Sequence, residues 1–173
     1  MLAFFFVLLA IAVRLDPHHM MAFTPVGAAL LFFGARGPRK LAFVPLTLFA
    51  ATDVYLTLFQ YHYSFSADHY VTWVWYAGIL MLGMLLRRNA GALQILGASL
   101  ATAFSFFLAS NFAVWAVWPE YPKTFDGLMT SYMMGLPFFR RDLVGDVLFT
   151  TVFFGVGALA GIFASRRTES AAA

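Results

Sequence analysis

The chain contains no cysteine. Disulfides, thiolate metal sites and a cysteine nucleophile are therefore excluded, while the compartment stays open. Charge is scarce as well: Asp, Glu, Lys and Arg make up 11% of the 173 residues, against 62% hydrophobic. A soluble domain devotes about a quarter of its residues to charge, so this chain lacks the side chains needed to cover a water-facing surface. Only four His are present, and none is set in a His-x-x-x-His or Glu-x-x-His spacing. That spacing would put two ligands on one helix face, so no metal site is expected. No Walker sequence, Gly-x-Gly-x-x-Gly or Gly-x-Ser-x-Gly occurs. No cofactor, no energy source of the chain's own and no catalytic residue is indicated. The formal net charge of +3 comes from basic residues dispersed at segment ends. Membrane topology explains them better than nucleic acid does.

What the chain does have is a series of apolar stretches separated by short charged or Pro/Gly-containing joints. They run from about Leu2 to Val13, Met21 to Phe33, Leu41 to Phe59, Tyr70 to Leu86, Ala92 to Val117 and Leu143 to Ser165. A straight spanning helix needs about 20 residues at a rise of about 1.5 Å each. The last four stretches approach or meet that length; the first two are short. The expected fold is an all-α membrane protein with about six transmembrane helices in one bundle. Residues 1–167 form its single transmembrane domain and 168–173 a disordered C-terminal tail. Four spans plus a re-entrant hairpin is the alternative, because segments one and two can also sit within the bundle.

Charge orients such a bundle. With the N-terminus inside, the inner joints hold Arg36, Arg39, Lys40, Arg87, Arg88, Arg166 and Arg167, and the outer ones Arg14, Lys123, Arg140 and Arg141. The positive-inside rule then places both termini in the cytoplasm of a bacterial cytoplasmic (inner) membrane. The inner joints are short and chemically plain. The outer joints are richer and carry all four His, so a site is expected to open outward. The joint from Trp118 to Asp142 is long for a helix connection. It is punctuated by Pro119, Pro122 and Pro137, with a short helix over Asp126 to Leu136.

Ionisable groups inside a membrane segment are costly and each needs a reason. Asp53 lies about 9 Å inside the outer end of segment three, by helix rise, and Thr57 and Gln60 continue one polar stripe. Asp146 lies about one turn inside segment six, four residues after Asp142. Asn111 lies in the outer third of segment five, with Trp115 one turn above it. Polar groups from three helices thus share one depth, and Lys123 and Arg140 stand beside them in the long outer joint, where they could meet an anionic ligand. Asp53, Asn111, Trp115, Lys123, Arg140 and Asp146 are the candidate ligand-binding residues. The structural alternative is that Asp53 pairs with Arg14 or Arg140 and locks helices, that Asn111 bonds across a helix interface, and that the aromatics form an interfacial belt.

Several ordered blocks carry a resemblance: Phe23-Thr24-Pro25-Val26-Gly27-Ala28, Asp53 closing an apolar run after Pro45, and Asn111-Phe112-Ala113-Val114-Trp115. Tyr121-Pro122-Lys123-Thr124-Phe125 and Pro137-Phe138-Phe139-Arg140 to Gly145-Asp146 complete the set. Together they resemble a family of small bacterial integral membrane proteins of unknown function, the DUF6580 type. Ala22 and Thr52 stand where that family is expected to have Asn and Ser. A looser resemblance is to the S components of energy-coupling-factor vitamin transporters, six-helix proteins with cytoplasmic termini and a vitamin site near the outer face. It implies uptake of a vitamin or similar small solute, with an energising module as partner. Segment one has no Trp, so the Ala-x-x-x-Trp docking motif of many S components is missing.

Three functions remain in view. The first is an S-component-like, solute-binding transport protein whose partners are membrane lipid, a small-molecule solute and an energising module. The second is an accessory or assembly subunit of a larger membrane complex. The third is a membrane enzyme acting on lipid or isoprenoid. A polar, outward-opening cavity between segments three, five and six separates the first from the second.

Overall fold

The computed structural model describes residues 1–16, 23–86 and 89–172, with 163, 164 and 166–172 described by backbone alone. His18, His19, the start of segment two at Met21, Ala22, Arg87 and Arg88 lie outside the described residues, as do the side chains of Arg166 and Arg167. Every regular element among the described residues is helical: α1 (Leu2–Leu15), α2 (Val26–Arg36), α3 (Phe43–Tyr55), α4 (Asp68–Leu85), α5 (Ala92–Val117) and α6 (Phe125–Ala172). A 3-10 turn at Arg39–Leu41 leads into α3, and a π turn at Leu56–Gln60 prolongs it.

Among the described residues, three helical stretches are long and apolar enough to cross a membrane: Arg39–Gln60, Ala92–Val117 and Phe125–Ile162, with mean hydropathies of 1.7, 1.7 and 1.9. α4 has 18 residues but opens on Asp68, His69 and Tyr70, which dilute its apolar character. α1 and α2 are shorter apolar helices. At about 1.5 Å per residue, α2 is only about 16 Å long, which suits a core helix better than a span.

α2 is the axis of the bundle. Its residues from Val26 to Gly34 are all buried, and α1, α4, α5 and α6 pack around it. Its sequence is apolar on every side, as a fully enclosed helix requires. Against α1 and α6 the contact is aromatic. Phe6 stacks on Phe153 at 4.0 Å and meets Phe32 edge-on at 4.9 Å, and Phe32 meets Phe154 at 5.1 Å. Against α4 the contact is backbone on backbone: a Cβ on Gly34 would lie 2.1 Å from the Leu80 carbonyl oxygen, and one on Gly83 2.3 Å from that of Leu31. Small residues at a crossing let two helices approach this closely, and van der Waals contact then holds them where lipid removes the hydrophobic drive between helices.

The chain departs from the sequence expectation at its C-terminal third. The turn after α5 ends by Thr124 and α6 begins at Phe125, so the expected joint from Trp118 to Asp142 is mostly helix, continuous with segment six. Pro137 lies inside α6. Proline reads as a breaker because it lacks an N–H and its ring crowds the preceding turn. Long apolar helices tolerate it when neighbouring packing holds the chain on both sides. Here α5 supplies that packing, with Phe107 against Tyr132 at 5.5 Å and against Phe139 at 4.8 Å. Helix also continues to Ala172, over the stretch expected to be a disordered tail. The alanines and Glu169 there are strong helix formers, and a helix already under way extends at low cost.

Candidate functional site

The upper end of the bundle is the one where α3 gives way to α4. α2 starts well below it, because Gly27 at its N-terminus packs against Thr102 and Asp146, in the middle of α5 and α6. The space above α2 is left for side chains to line, and a cavity of about 370 Å³ occupies it. Thr24, Val26 and Gly27 form its floor. Arg14 comes from α1, Asp53 from α3, and Leu56 and Thr57 from the π turn, with Tyr61 just beyond. α4 supplies Asp68, His69, Thr72, Trp75 and Tyr76; α5 supplies Phe106; α6 supplies Asp142 and Asp146.

The wall toward α3 is a closed polar network. Arg14 donates through Nη2 to Oδ1 of Asp53 and through Nη1 to the Tyr76 hydroxyl at 3.0 Å. Tyr76 donates to Asp53 Oδ1 at 3.2 Å and Trp73 Nε1 to Asp53 Oδ2 at 2.8 Å. Asp53 is 4% exposed and Tyr76 3%. A carboxylate with a guanidinium, a phenol and an indole on its two oxygens is satisfied without any ligand. This network ties α1, α3 and α4 together, and of the two helix-lock partners read from sequence, Arg14 is the one in place.

The rim between α3 and α4 is built by the π turn. Its i→i+5 pattern is seen in the Tyr61 amide donating to the Leu56 carbonyl at 2.8 Å. Such turns are rare and cluster at functional sites, because the widened backbone redirects side chains. Thr57 Oγ1 is thereby placed 2.8 Å from His69 Nε2, while His69 Nδ1 lies 3.1 Å from the Ser66 carbonyl. A carbonyl only accepts, so Nδ1 carries the proton, and in the neutral ring Nε2 accepts from the Thr57 hydroxyl. The same widening breaks the expected stripe: Thr57 lines the cavity and Gln60 does not.

The wall toward α6 is different. Asp146 is 7% exposed; its carboxylate lies against Gly27 in the first turn of α2, where a Cβ would come within 2.6 Å of Oδ1. It therefore sits beside the N-terminus of α2, whose amides favour negative charge. Asp142, one turn up the same face, also lines the cavity. Among the described residues neither forms an ion pair, and Asp142 makes no hydrogen bond.

Residues 1–170 match a family of unknown function, DUF6580. The chain belongs to this family. No curated protein and no solved structure matches it. The sequence blocks that carried the family resemblance divide between the cavity and the helix pair above it. Thr24, Val26, Gly27, Asp53 and Asp146 meet at the cavity; the blocks around Asn111 and Lys123 do not.

Of the six candidate ligand residues, then, two come together. Asn111 donates to the Phe107 carbonyl of its own helix at 2.8 Å and faces Gly135 of α6; it lines a separate cleft of about 190 Å³ between α5 and α6. Lys123 donates to the carbonyls of Trp115 and Trp118, the latter at 2.5 Å, and so caps the end of α5. Trp115 donates to the Pro122 carbonyl at 2.9 Å and lies 5.9 Å from the Lys123 ammonium. Arg140 is exposed on α6. These four share the depth of the upper bundle but not the face that lines the cavity. The expected site between segments three, five and six is instead centred above α2, with α4 supplying the largest share of its lining. Tyr76, Trp73, Trp75, Phe106, His69 and Asp142 belong to it and were not among the candidates. The signal for two of them was available: Trp73 and Tyr76 are donors three residues apart on segment four, at the depth of Asp53.

Proposed function

We propose that the protein binds a small solute in the cavity above α2 and serves its uptake across a bacterial cytoplasmic membrane. The upper end faces outward and both termini are cytoplasmic. The observation that carries the reading is the cavity itself. About 370 Å³ is bounded by side chains from all six helices and mixes aromatic with polar groups, and its size and lining are those of small-molecule sites. A bundle built only to pack would bring α2 up to the rim and fill this space. The orientation rests on the bias of Lys and Arg toward the Arg36 and Arg39 end of the bundle. The likeness to vitamin-transporter S components rests on size, six helices and the position of the cavity. Without the docking motif in α1, any energising partner would contact another surface. The direct test is mass spectrometry of small molecules released from gently purified protein. A stoichiometric compound that returns to the emptied protein supports the reading, and a protein that carries and rebinds nothing overturns it.

One observation favours the accessory-subunit reading. The upper part of the α5–α6 pair exposes Phe112, Phe125, Met133, Met134 and Phe138, an apolar surface that a second membrane protein could cover as well as lipid does.

A further inference from the structure

We propose that the solute is an organic cation, a protonated amine or amidine carried on a small flat ring, held by Asp142 and Asp146 against the aromatic wall of the cavity. The inference rests on the solute-binding reading and adds the charge of the ligand to it.

Among the described residues, the charged side chains lining the cavity are four carboxylates, Asp53, Asp68, Asp142 and Asp146, against one guanidinium, Arg14. They are not equivalent. Asp53 is neutralised by Arg14 and filled by Trp73 and Tyr76. Asp68 takes a hydrogen bond from Ser66 and lies 3.6 Å from His69. The positive end of α2, which would attract an anion, already has the Asp146 carboxylate packed against its Gly27. What remains is Asp142 and the outer face of Asp146. They sit at i and i+4 on one helix face, where like charges repel, with no cation beside them among the described residues. A buried or half-buried carboxylate pair without a counter-charge is costly, and a cation placed between the two oxygens relieves both the desolvation and the repulsion.

The rest of the wall fits the same ligand. Trp75, Phe106 and Tyr61 line the space, and the face of an aromatic ring attracts a cation. Trp75 is held in place by its indole N–H, which donates to Ser105 at 2.9 Å, and its ring lies 4.7 Å from that of Phe106. A metal ion fits less well: among the described residues no group of three or more His, Cys, Asp or Glu could hold one. Lys123 and Arg140, the cations that would have suited an anionic solute, stand outside the cavity.

The test uses three flat probes of one size and different charge: benzamidine, cationic at neutral pH, benzamide, neutral, and benzoate, anionic. Binding to the full-length detergent-purified protein is measured by saturation-transfer NMR with competition among the three. Benzamidine is expected to bind saturably, benzamide more weakly by about ten- to a hundredfold, the worth of a hydrogen bond to a charged group, and benzoate not at all. Asp142→Asn is expected to erase the preference for benzamidine over benzamide, and a monodisperse size-exclusion profile with a native-like melting temperature shows that the variant is folded. Asp146→Asn serves as a second variant and is expected to lower the benzamidine preference in the same way. Equal binding of the three probes, preference for benzoate, or a benzamidine preference that survives Asp142→Asn overturns the charge assignment and leaves the solute-binding reading intact. Failure of all three to bind overturns the inference; whether the solute-binding reading falls with it is then decided by the released-ligand experiment.

Discussion

The replacement of Asp53 by Asn probes what the α3 wall is for. In the native protein the carboxylate takes donors from Arg14, from Trp73 at 2.8 Å and from Tyr76 at 3.2 Å, and is 4% exposed. Asparagine has one acceptor oxygen where aspartate has two, and its amide is a donor that must then face another donor. The charge of Arg14 is left without its partner in a largely buried site, where its side chain is 19% exposed. Removing one member of a buried ion pair costs about 3–5 kcal/mol, and Asp53→Asn is expected to lose about that much. Sequence reasoning pointed the other way, to lost ligand affinity with normal folding. The network reverses the expectation, because Asp53 is already satisfied before any ligand arrives. Equilibrium unfolding of purified variants in mild detergent measures the loss. Arg14→Gln should lose a similar amount, and the double variant clearly less than both losses together, since the two residues interact directly. If Asp53→Asn stays within about 1 kcal/mol of the native protein, the range of a weakly coupled surface pair, or if the two losses simply add, the lock is not real.

The Gly34–Gly83 crossing gives a second prediction. Gly34→Leu places side-chain atoms where the Leu80 carbonyl already lies 2.1 Å from the first added carbon, and is expected to abolish folded, monodisperse protein in size-exclusion chromatography; a normal yield would show that α2 and α4 do not touch there. Asn111→Ala and Lys123→Met remove contacts confined to α5 and its junction with α6. Both are expected to leave benzamidine binding unchanged in the NMR assay, and a marked loss in either would bring the upper helix pair back into the site.

Much of the fold can be read from the residues. Apolar runs broken by Gly, Pro and Arg give α1 through α5 nearly in place, because a helix in lipid must satisfy its own backbone and therefore starts and stops with the apolar run. The departures lie in α6: the tail, which is helical to Ala172, and Pro137 with the residues before it. A proline and an amphipathic stretch look like a joint in one dimension, and only the packing of Phe107 against Tyr132 and Phe139 shows that helix passes through. The π turn at Leu56–Gln60 is illegible for a different reason. Nothing in Leu-Thr-Leu-Phe-Gln forbids an ordinary helix, and the insertion is stabilised from outside by Thr57 meeting His69.

The site is half legible, and the half that failed is instructive. Sequence position along a spanning helix gives depth to within about a turn, since rise per residue is fixed. The helix ends must be right as well: α6 starts at Phe125 and not at Leu143, so Asp146 lies level with Thr102 and about 16 Å below Asn111, which faces Gly135. Depth says nothing about azimuth unless a stripe of apolar residues marks the buried face. In a membrane helix that stripe is missing, because the face toward lipid is as apolar as the face toward the core. Asp53 and Asp146 are forced inward by the cost of a lipid-facing carboxylate, so that cost gives their azimuth. Asn111, Trp115 and Lys123 escape that constraint. An amide can turn back to its own helix, an indole can sit at an interface, and an ammonium at a helix end can cap carbonyls, and each has done so here. Azimuth is thus recoverable from sequence for the carboxylates alone. The same cost makes Asp142 and Asp146, which no side-chain cation neutralises among the described residues, the residues on which the proposed binding of a cation turns.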